Sequence, residues 1–325
     1  MKICVYETRN DEIEFLNKYA RLNNCELILH SEVPSLDNAD FVLGCDGVST
    51  LGQARINDEI LSKWKDNGIK YFSTRTIGFN HIDLDAAHKY GIRVCHAAYD
   101  PNGVADFTIM MMLMCMRHYK QAMWRGQVND FALNGLRGKE MRNMTVGIIG
   151  TGKIGCQVVK NLKGFGCKIV AYDPYPKKDL QDVTYMSLDE LYKVSDIITL
   201  HIPLTDENYH MIDAEAINKM KDGVILINCA RGGLCDSEAL IDGIENEKIG
   251  AIGMDTIEGE EGIIHNDRRT DIIKARDLFY LHQFRNVIMT QHMAFYTKEA
   301  VDSMARYGIE GIIEMSQNKK CNTEI

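Results

Sequence analysis

The sequence predicts an α/β protein made of two doubly wound parallel-sheet domains. Three observations predict it. Short apolar runs alternate with helical patterns along the whole chain, the arrangement that builds a parallel sheet. These runs fall into two groups, one within the first hundred residues and one from 144 to 291, with a Met-rich helical stretch between them. A G-x-G-x-x-G turn follows the first strand of the second group and opens a helix.

In chain order, KICVY, CELIL, DFVLGC, IKYFST and IRVCH are the candidate strands of the first group. Each is short and rich in apolar or β-branched side chains. Asn102 to about Gln121 reads as one long helix whose methionine stripe fills core at a domain interface. MTVGIIG, CKIVAYD, DIITLHI, DGVILINCA, KIGAIGMD and NVIMTQ are the strands of the second group. The last helix, TKEAVDSMARYGIEGIIEMSQ, is amphipathic. The second sheet is already complete, so this helix is expected to return to the first domain. The first domain is then discontinuous, residues 1–100 with 298–325, and the second spans 101–297.

Composition narrows the function. A length of 325 residues leaves room for two domains. A net charge of −9 argues against nucleic acid and anionic membrane as partners. No apolar run reaches the ~20 residues of a membrane span. The longest, VADFTIMMMLMCM, is interrupted by Asp106. The N-terminus reads as a strand, not as a signal peptide. Ten cysteines include no C-x-x-C pair, and most sit in apolar or Gly-rich contexts, so free thiols and a reducing cytoplasm are expected. The histidines lie near no cysteine at ligand spacing, and no metal site is expected.

The glycine turn is Gly150-Thr151-Gly152-Lys153-Ile154-Gly155. The first glycine makes a tight turn, the second lets backbone approach a pyrophosphate, and the third lets helix and strand pack closely. The helix N-terminus offers free N–H groups to the phosphates. CKIVAYD ends in Asp173, about 20 residues on, where a carboxylate binds a ribose 2′-hydroxyl and repels a 2′-phosphate. NAD is therefore expected over NADP. Lys153 either reaches the phosphates or is solvated.

The segment NCARGGLCD places Arg231 at the carboxyl end of a hydrophobic strand, before a Gly-Gly turn. Ligands of open α/β sheets lie beyond those strand ends. His201, Cys229, Arg231, Asp255 and His292 should therefore ring one crevice. Three groups there suit reduction of a keto acid. Arg231 binds a carboxylate or polarises a carbonyl. His292 donates a proton to the ketone oxygen. Glu260 hydrogen-bonds the other imidazole nitrogen and favours the imidazolium, with Glu258 and Glu261 as competitors for that place. His201 is read as a structural or cofactor-neighbouring residue.

Long motifs in fixed order cover nearly the whole chain: TRTIGFNHID, AAYDPNGVAD, GIIGTGKIG, LHIPLTDENYHMI, NCARGGLCDSEAL, GMDTIEGEEG and QHMAFYTKEAV. In these the chain resembles the D-isomer-specific 2-hydroxyacid dehydrogenases, above all the D-lactate dehydrogenase branch with its vancomycin-resistance members. The resemblance implies a Rossmann-type cofactor domain plus a flavodoxin-like substrate domain. It implies Arg231, Glu260 and His292 as the catalytic set. It implies cofactor contacts from Gly150, Gly152, Lys153, Ile154, Gly155, Asp173, Ile202, Pro203, Asn208, Cys229, Ala230 and Asp255. The substrate carboxylate would meet the Ile77 and Gly78 amides, with Tyr99 and Tyr296 lining the pocket. A homodimer built largely on the cofactor domain is implied too. Pyruvate is the favoured substrate. 2-Ketoisocaproate or phenylpyruvate is the alternative, and an NAD-sensing corepressor is the alternative from another class. Two departures stand out: Gln291 replaces the usual proline before the histidine, and Cys229 replaces the usual Ala, Thr or Val.

Overall fold

The computed structural model describes residues 1–325. The strands are β1 Lys2–Val5, β2 Glu26–Leu29, β3 Gly47–Thr50, β4 Tyr71–Thr74, β5 Arg93–His96, β6 Thr145–Ile149, β7 Lys168–Tyr172, β8 Thr184–Tyr185, β9 Ile197–Leu200, β10 Val224–Asn228, β11 Ile249–Met254 and β12 Val287–Met289. The α-helices are α1 Ile13–Leu22, α2 Asp58–Asp66, α3 Leu84–Tyr90, α4 Asn102–Met116, α5 Tyr119–Gln127, α6 Lys153–Leu162, α7 Leu188–Val194, α8 Ala214–Lys219, α9 Ser237–Glu245, α10 Arg276–Gln283 and α11 Lys298–Ser316. The chain divides into two compact units, Met1–Asp100 with Tyr296–Ile325, and Pro101–Phe295.

The first unit holds a five-stranded sheet in the order β2-β1-β3-β4-β5, all parallel. This is the flavodoxin-like winding. One face packs on α2 and α3 through Trp64, Phe72, Ile60 and Ile92. The other packs on α1 and α11 through Leu16, Ile309, Ile312 and Met315. The second unit holds a seven-stranded parallel sheet in the order β12-β11-β10-β9-β6-β7-β8. Its middle strands are buried throughout, because helices cover both faces. That is why DIITLHI and DGVILIN read as unbroken apolar runs without alternation.

Three elements differ from the sequence reading, the first being β8, a two-residue strand with no apolar run to mark it. DFVLGC is not a strand. Leu36–Val42 forms a 3-10 helix in which Ala39 and Val42, three apart, face the core. The Ser35 backbone N–H donates to the Asn38 side chain at its start, and the Tyr6 hydroxyl donates to the Asn38 carbonyl. The strand is the next segment, Gly-Val-Ser-Thr, whose hydroxyls disguise its burial; the Ser73 hydroxyl donates to that of Ser49 at 3.0 Å. The Met-rich helix is also interrupted. α4 ends at Met116, and His118 takes a left-handed backbone, φ +50°, before α5 begins. Met111, Met112 and Met116 are core residues of the second unit, whereas Met110 is exposed. No helix is long and apolar enough to cross a membrane.

Candidate active site

Parallel register sets six strand ends of the second unit in one row. Ile149 lies beside Tyr172 and Leu200, Leu200 beside Asn228, Asn228 beside Met254, and Met254 beside Met289. Gly150, Asp173, His201, Cys229, Asp255 and Thr290 therefore all leave the sheet along its carboxyl edge.

The three glycines of the turn after β6 do different things. Gly150 has φ +94°, and a Cβ there would stand 2.6 Å from the His201 carbonyl oxygen. A Cβ on Gly155 would stand 2.0 Å from the Gly150 carbonyl oxygen. Packing therefore requires both. A Cβ on Gly152 would meet nothing within 4 Å. That open space lies at the N-cap of α6, where the amides of Lys153, Ile154 and Gly155 have no carbonyl of their own helix to bond. A diphosphate fits a space of that kind.

Asp173 is fastened at the end of β7. One carboxylate oxygen accepts the Thr151 N–H at 2.6 Å and its hydroxyl at 2.9 Å, and the other accepts the Tyr175 N–H at 2.8 Å. Burial works against its charge, but those donors outweigh burial and hold the carboxyl below the usual range. At the end of β9, burial pushes the His201 imidazole down to about 3. Its Nε2 lies 3.0 Å from the Thr199 hydroxyl. Ile202 packs on Gly150, and Asn208 closes the following loop by accepting from the Thr205 N–H and donating to the Pro203 carbonyl, each at 2.8 Å. Lys153 is exposed, while Ile154, Cys229 and Ala230 are half-buried. Burial raises the Cys229 thiol, so the group stays neutral.

Arg231 follows β10 in extended backbone, and its guanidinium donates to the Ala230 carbonyl at 2.6 Å. Asn228 shapes the turn, accepting from the Ala230 N–H at 3.0 Å and donating to the Arg231 carbonyl at 2.8 Å. A Cβ on Gly232 would stand 2.1 Å from the Ile257 carbonyl carbon, so the arginine turn lies directly on the loop after β11. That loop carries three glutamates. Glu260 lies 2.7 Å from His292 Nδ1, and its second oxygen accepts the Ile257 N–H at 3.0 Å. Glu258 pairs instead with His210 at 2.9 Å and with the Tyr209 hydroxyl. Glu261 is exposed. The rings of His265 and Phe295 flank His292 at 6.1 and 6.4 Å between centroids.

Sequence reasoning missed how the histidine is aimed. His292 has a left-handed backbone, φ +52°. Asp255, buried, holds its turn by accepting the Thr290 hydroxyl at 2.5 Å and the N–H groups of Met293 and Ala294 at 2.8 and 2.7 Å. These bonds fix the turn that carries Gln291, where the resemblance leads one to expect proline.

In the first unit, Ile77 and Gly78 lie on the loop after β4. Ile77 is exposed, and the Gly78 carbonyl accepts the Thr76 hydroxyl at 2.7 Å. Tyr99 follows β5 and is half-buried. The Arg9 guanidinium sits 5.0 Å over the Tyr296 ring, and Asp11 accepts the Tyr296 hydroxyl, which raises its pKa. A buried ionic network that no sequence spacing announces supports these loops. Arg75 donates to Glu12 at 3.0 Å and to the Tyr6 carbonyl at 2.9 Å. Glu7 accepts the backbone N–H groups of Leu51, Gly52, Gln53 and Ala54.

Residues 109–294 match the family model of the D-isomer specific 2-hydroxyacid dehydrogenase NAD-binding domain. The chain is 46% identical over 331 residues to an aromatic 2-oxoacid reductase of Clostridium sporogenes, covering all of this chain and 99% of the other. It is 36% identical over 332 residues to a D-lactate dehydrogenase of Escherichia coli, with both chains fully covered. A solved D-2-hydroxyisocaproate dehydrogenase superposes with a TM-score of 0.92 at 34% identity, covering all of this chain and 99% of that one. The chain belongs to the D-isomer specific 2-hydroxyacid dehydrogenases and is an NAD-dependent oxidoreductase.

Proposed function

We propose that this enzyme reduces 2-oxo acids with a bulky, aromatic side chain to the D-2-hydroxy acids, using NADH. The observation that carries the reaction is the 2.7 Å contact between Glu260 and His292 Nδ1, on the same sheet edge as the glycine turn. The full-length 46% likeness to an aromatic 2-oxoacid reductase supports the substrate class. Pyruvate, favoured by the sequence reading, is the second reading; the likeness to a D-lactate dehydrogenase supports it.

In this reading the Gly150–Gly155 turn and the α6 amides hold the diphosphate, and Asp173 takes the ribose hydroxyls. Lys153, Ile154, Ile202, Pro203, Asn208, Cys229, Ala230 and Asp255 line the rest of the cofactor's path. When bound, the dinucleotide supplies a hydride to C2. Arg231 pairs with the substrate carboxylate and polarises its carbonyl. Glu260 fixes the imidazole through Nδ1, leaving Nε2 to give its proton to the carbonyl oxygen. The Ile77 and Gly78 amides bind the carboxylate, and Tyr99 and Tyr296 bound the side-chain site. The reading includes a cytoplasmic homodimer. Exposed Trp124, Val128, Phe131 and Leu133 support self-association, and sedimentation velocity tests it.

His292→Asn should lower kcat by ~100–10,000-fold, the size of a general-acid contribution. Near-normal turnover by that variant would remove His292 from the reaction. A panel of phenylpyruvate, 2-ketoisocaproate and pyruvate decides the substrate. We expect kcat/KM for phenylpyruvate to exceed that for pyruvate by about tenfold or more, at least ~1.4 kcal/mol in favour of the larger side chain. The reverse order assigns pyruvate.

A further inference from the structure

All ten cysteines are free, but two of them face each other where the chain ends. Cys95 lies in β5, Cys321 lies on the segment beyond α11, and both sulfurs border the same glycine of α11. Both are buried, at 0% and 7% exposure. α11 makes room for them with Gly311: a Cβ there would stand 2.5 Å from Cys95 Sγ and 3.8 Å from Cys321 Sγ. The tail lies along the free edge of β5. The His96 N–H donates to the Thr323 carbonyl and the Ile325 N–H to the Val94 carbonyl, each at 3.0 Å. Arg93 grips Glu324 through two hydrogen bonds, at 2.6 and 2.8 Å.

We propose that Cys95 and Cys321 are a reversible oxidation site, a dithiol that hydroperoxides convert to a disulfide clasping the C-terminal tail to the five-stranded sheet. The Cys321 thiolate attacks the hydroperoxide; an S–O bond forms, the O–O bond breaks, and the leaving oxygen takes up a proton as alcohol or water. The Cys95 sulfur then attacks the Cys321 sulfenic acid. The S–S bond forms, the S–O bond breaks, and hydroxide departs with the Cys95 proton as water. The two thiols lose two electrons and the hydroperoxide gains them. No further reductant or oxidant is needed.

The surroundings divide the two roles. Hydrogen bonds from Cys95 and from the Thr323 hydroxyl and N–H bring Cys321 down to about 6, against burial and the nearby Glu314 carboxylate. The contact with Cys321 together with burial keeps Cys95 protonated. Access comes from position. Cys321 stands outside the helices and named strands, on a segment held by a few edge hydrogen bonds and one ion pair, and segments so held open locally at low free energy. The other facing pair, Cys4 and Cys45, has no such route. Cys4 is fully enclosed in β1, between β2 and β3, beside Tyr6 and Trp64.

The test is titration of the reduced, full-length enzyme with hydrogen peroxide, followed by alkylation and peptide mapping without reductant. The expected first product is a peptide cross-linked through Cys95 and Cys321, released by dithiothreitol. Cys321→Ser should yield no cross-link. Cys95→Ser should stop at a Cys321 sulfenic acid that dimedone captures, and this variant keeps the proposal testable even if Cys321→Ser perturbs the tail. Cys95 and Cys321 both alkylated as free thiols while other cysteines oxidise would overturn the proposal. So would a cross-link from Cys321 to any other cysteine.

Discussion

His201→Gln tests the electrostatics of the dinucleotide edge without touching the proposed chemistry. Burial lowers the imidazole from its ordinary 6.5 to about 3. For a base whose folded pKa is depressed, the unfolded chain takes up the proton first as pH falls. Stability is therefore intact above about pH 6.5 and is lost progressively down to about pH 3. Each pH unit inside that window costs about 1.4 kcal/mol. From pH 7 to pH 5 the wild type should lose about 2 kcal/mol that a glutamine variant does not lose. Glutamine keeps a donor and an acceptor for the Thr199 hydroxyl 3.0 Å away. The assay is urea unfolding of the cofactor-free proteins at pH 7, 6 and 5, followed by far-UV circular dichroism. The two curves of stability against pH should converge or cross as pH falls. Parallel curves would show that the imidazole titrates normally in the folded state and that its burial has no energetic consequence.

Asp173→Ala should narrow the preference for NADH over NADPH, read as the ratio of kcat/KM values; an unchanged ratio places the carboxylate away from the ribose. Asp255→Asn presents an amide to three donors that now meet a carboxylate. It should lower kcat tenfold or more while moving the KM for NADH less, because it disturbs the aim of His292; equal losses in both would indicate a cofactor contact instead. Gly155→Ala forces a methyl to 2.0 Å from the Gly150 carbonyl oxygen. It should cost about 1–3 kcal/mol, the usual size of overpacking, seen as a lower Tm with loss of NADH fluorescence enhancement. An unshifted Tm would mean that the helix yields freely.

Much of the fold was legible because burial on both faces leaves its mark in local sequence. DIITL and VILIN carry it plainly, and the glycine turn announces itself because backbone contact forbids side chains at 150 and 155. Failures came where local pattern and tertiary role part company. Gly-Val-Ser-Thr is a central strand with two hydroxyl side chains, so the preceding apolar segment looked more like a strand than it did. The break at His118 has neither glycine nor proline to mark it. In the site, the residues of the loop after β11 left Glu258 and Glu261 as competitors of Glu260. The folded loop puts Glu260 on His292 and Glu258 on His210. The Arg75–Glu12 pair joins residues 63 apart, and no spacing rule reaches that far.

Arg231, Glu260, His292 and the glycine turn all lie within Pro101–Phe295, on loops from a single sheet. Ile77, Gly78 and Tyr99 lie in the other unit. In the proposed reading, proton delivery and substrate choice are written in separate stretches of chain. On that proposal, substitutions in the stretch that holds Ile77, Gly78 and Tyr99 would redirect the enzyme from one oxo acid to another while His292, Glu260 and Asp255 stay in register. Relatives named for lactate and for aromatic acids are what such a division of labour would produce.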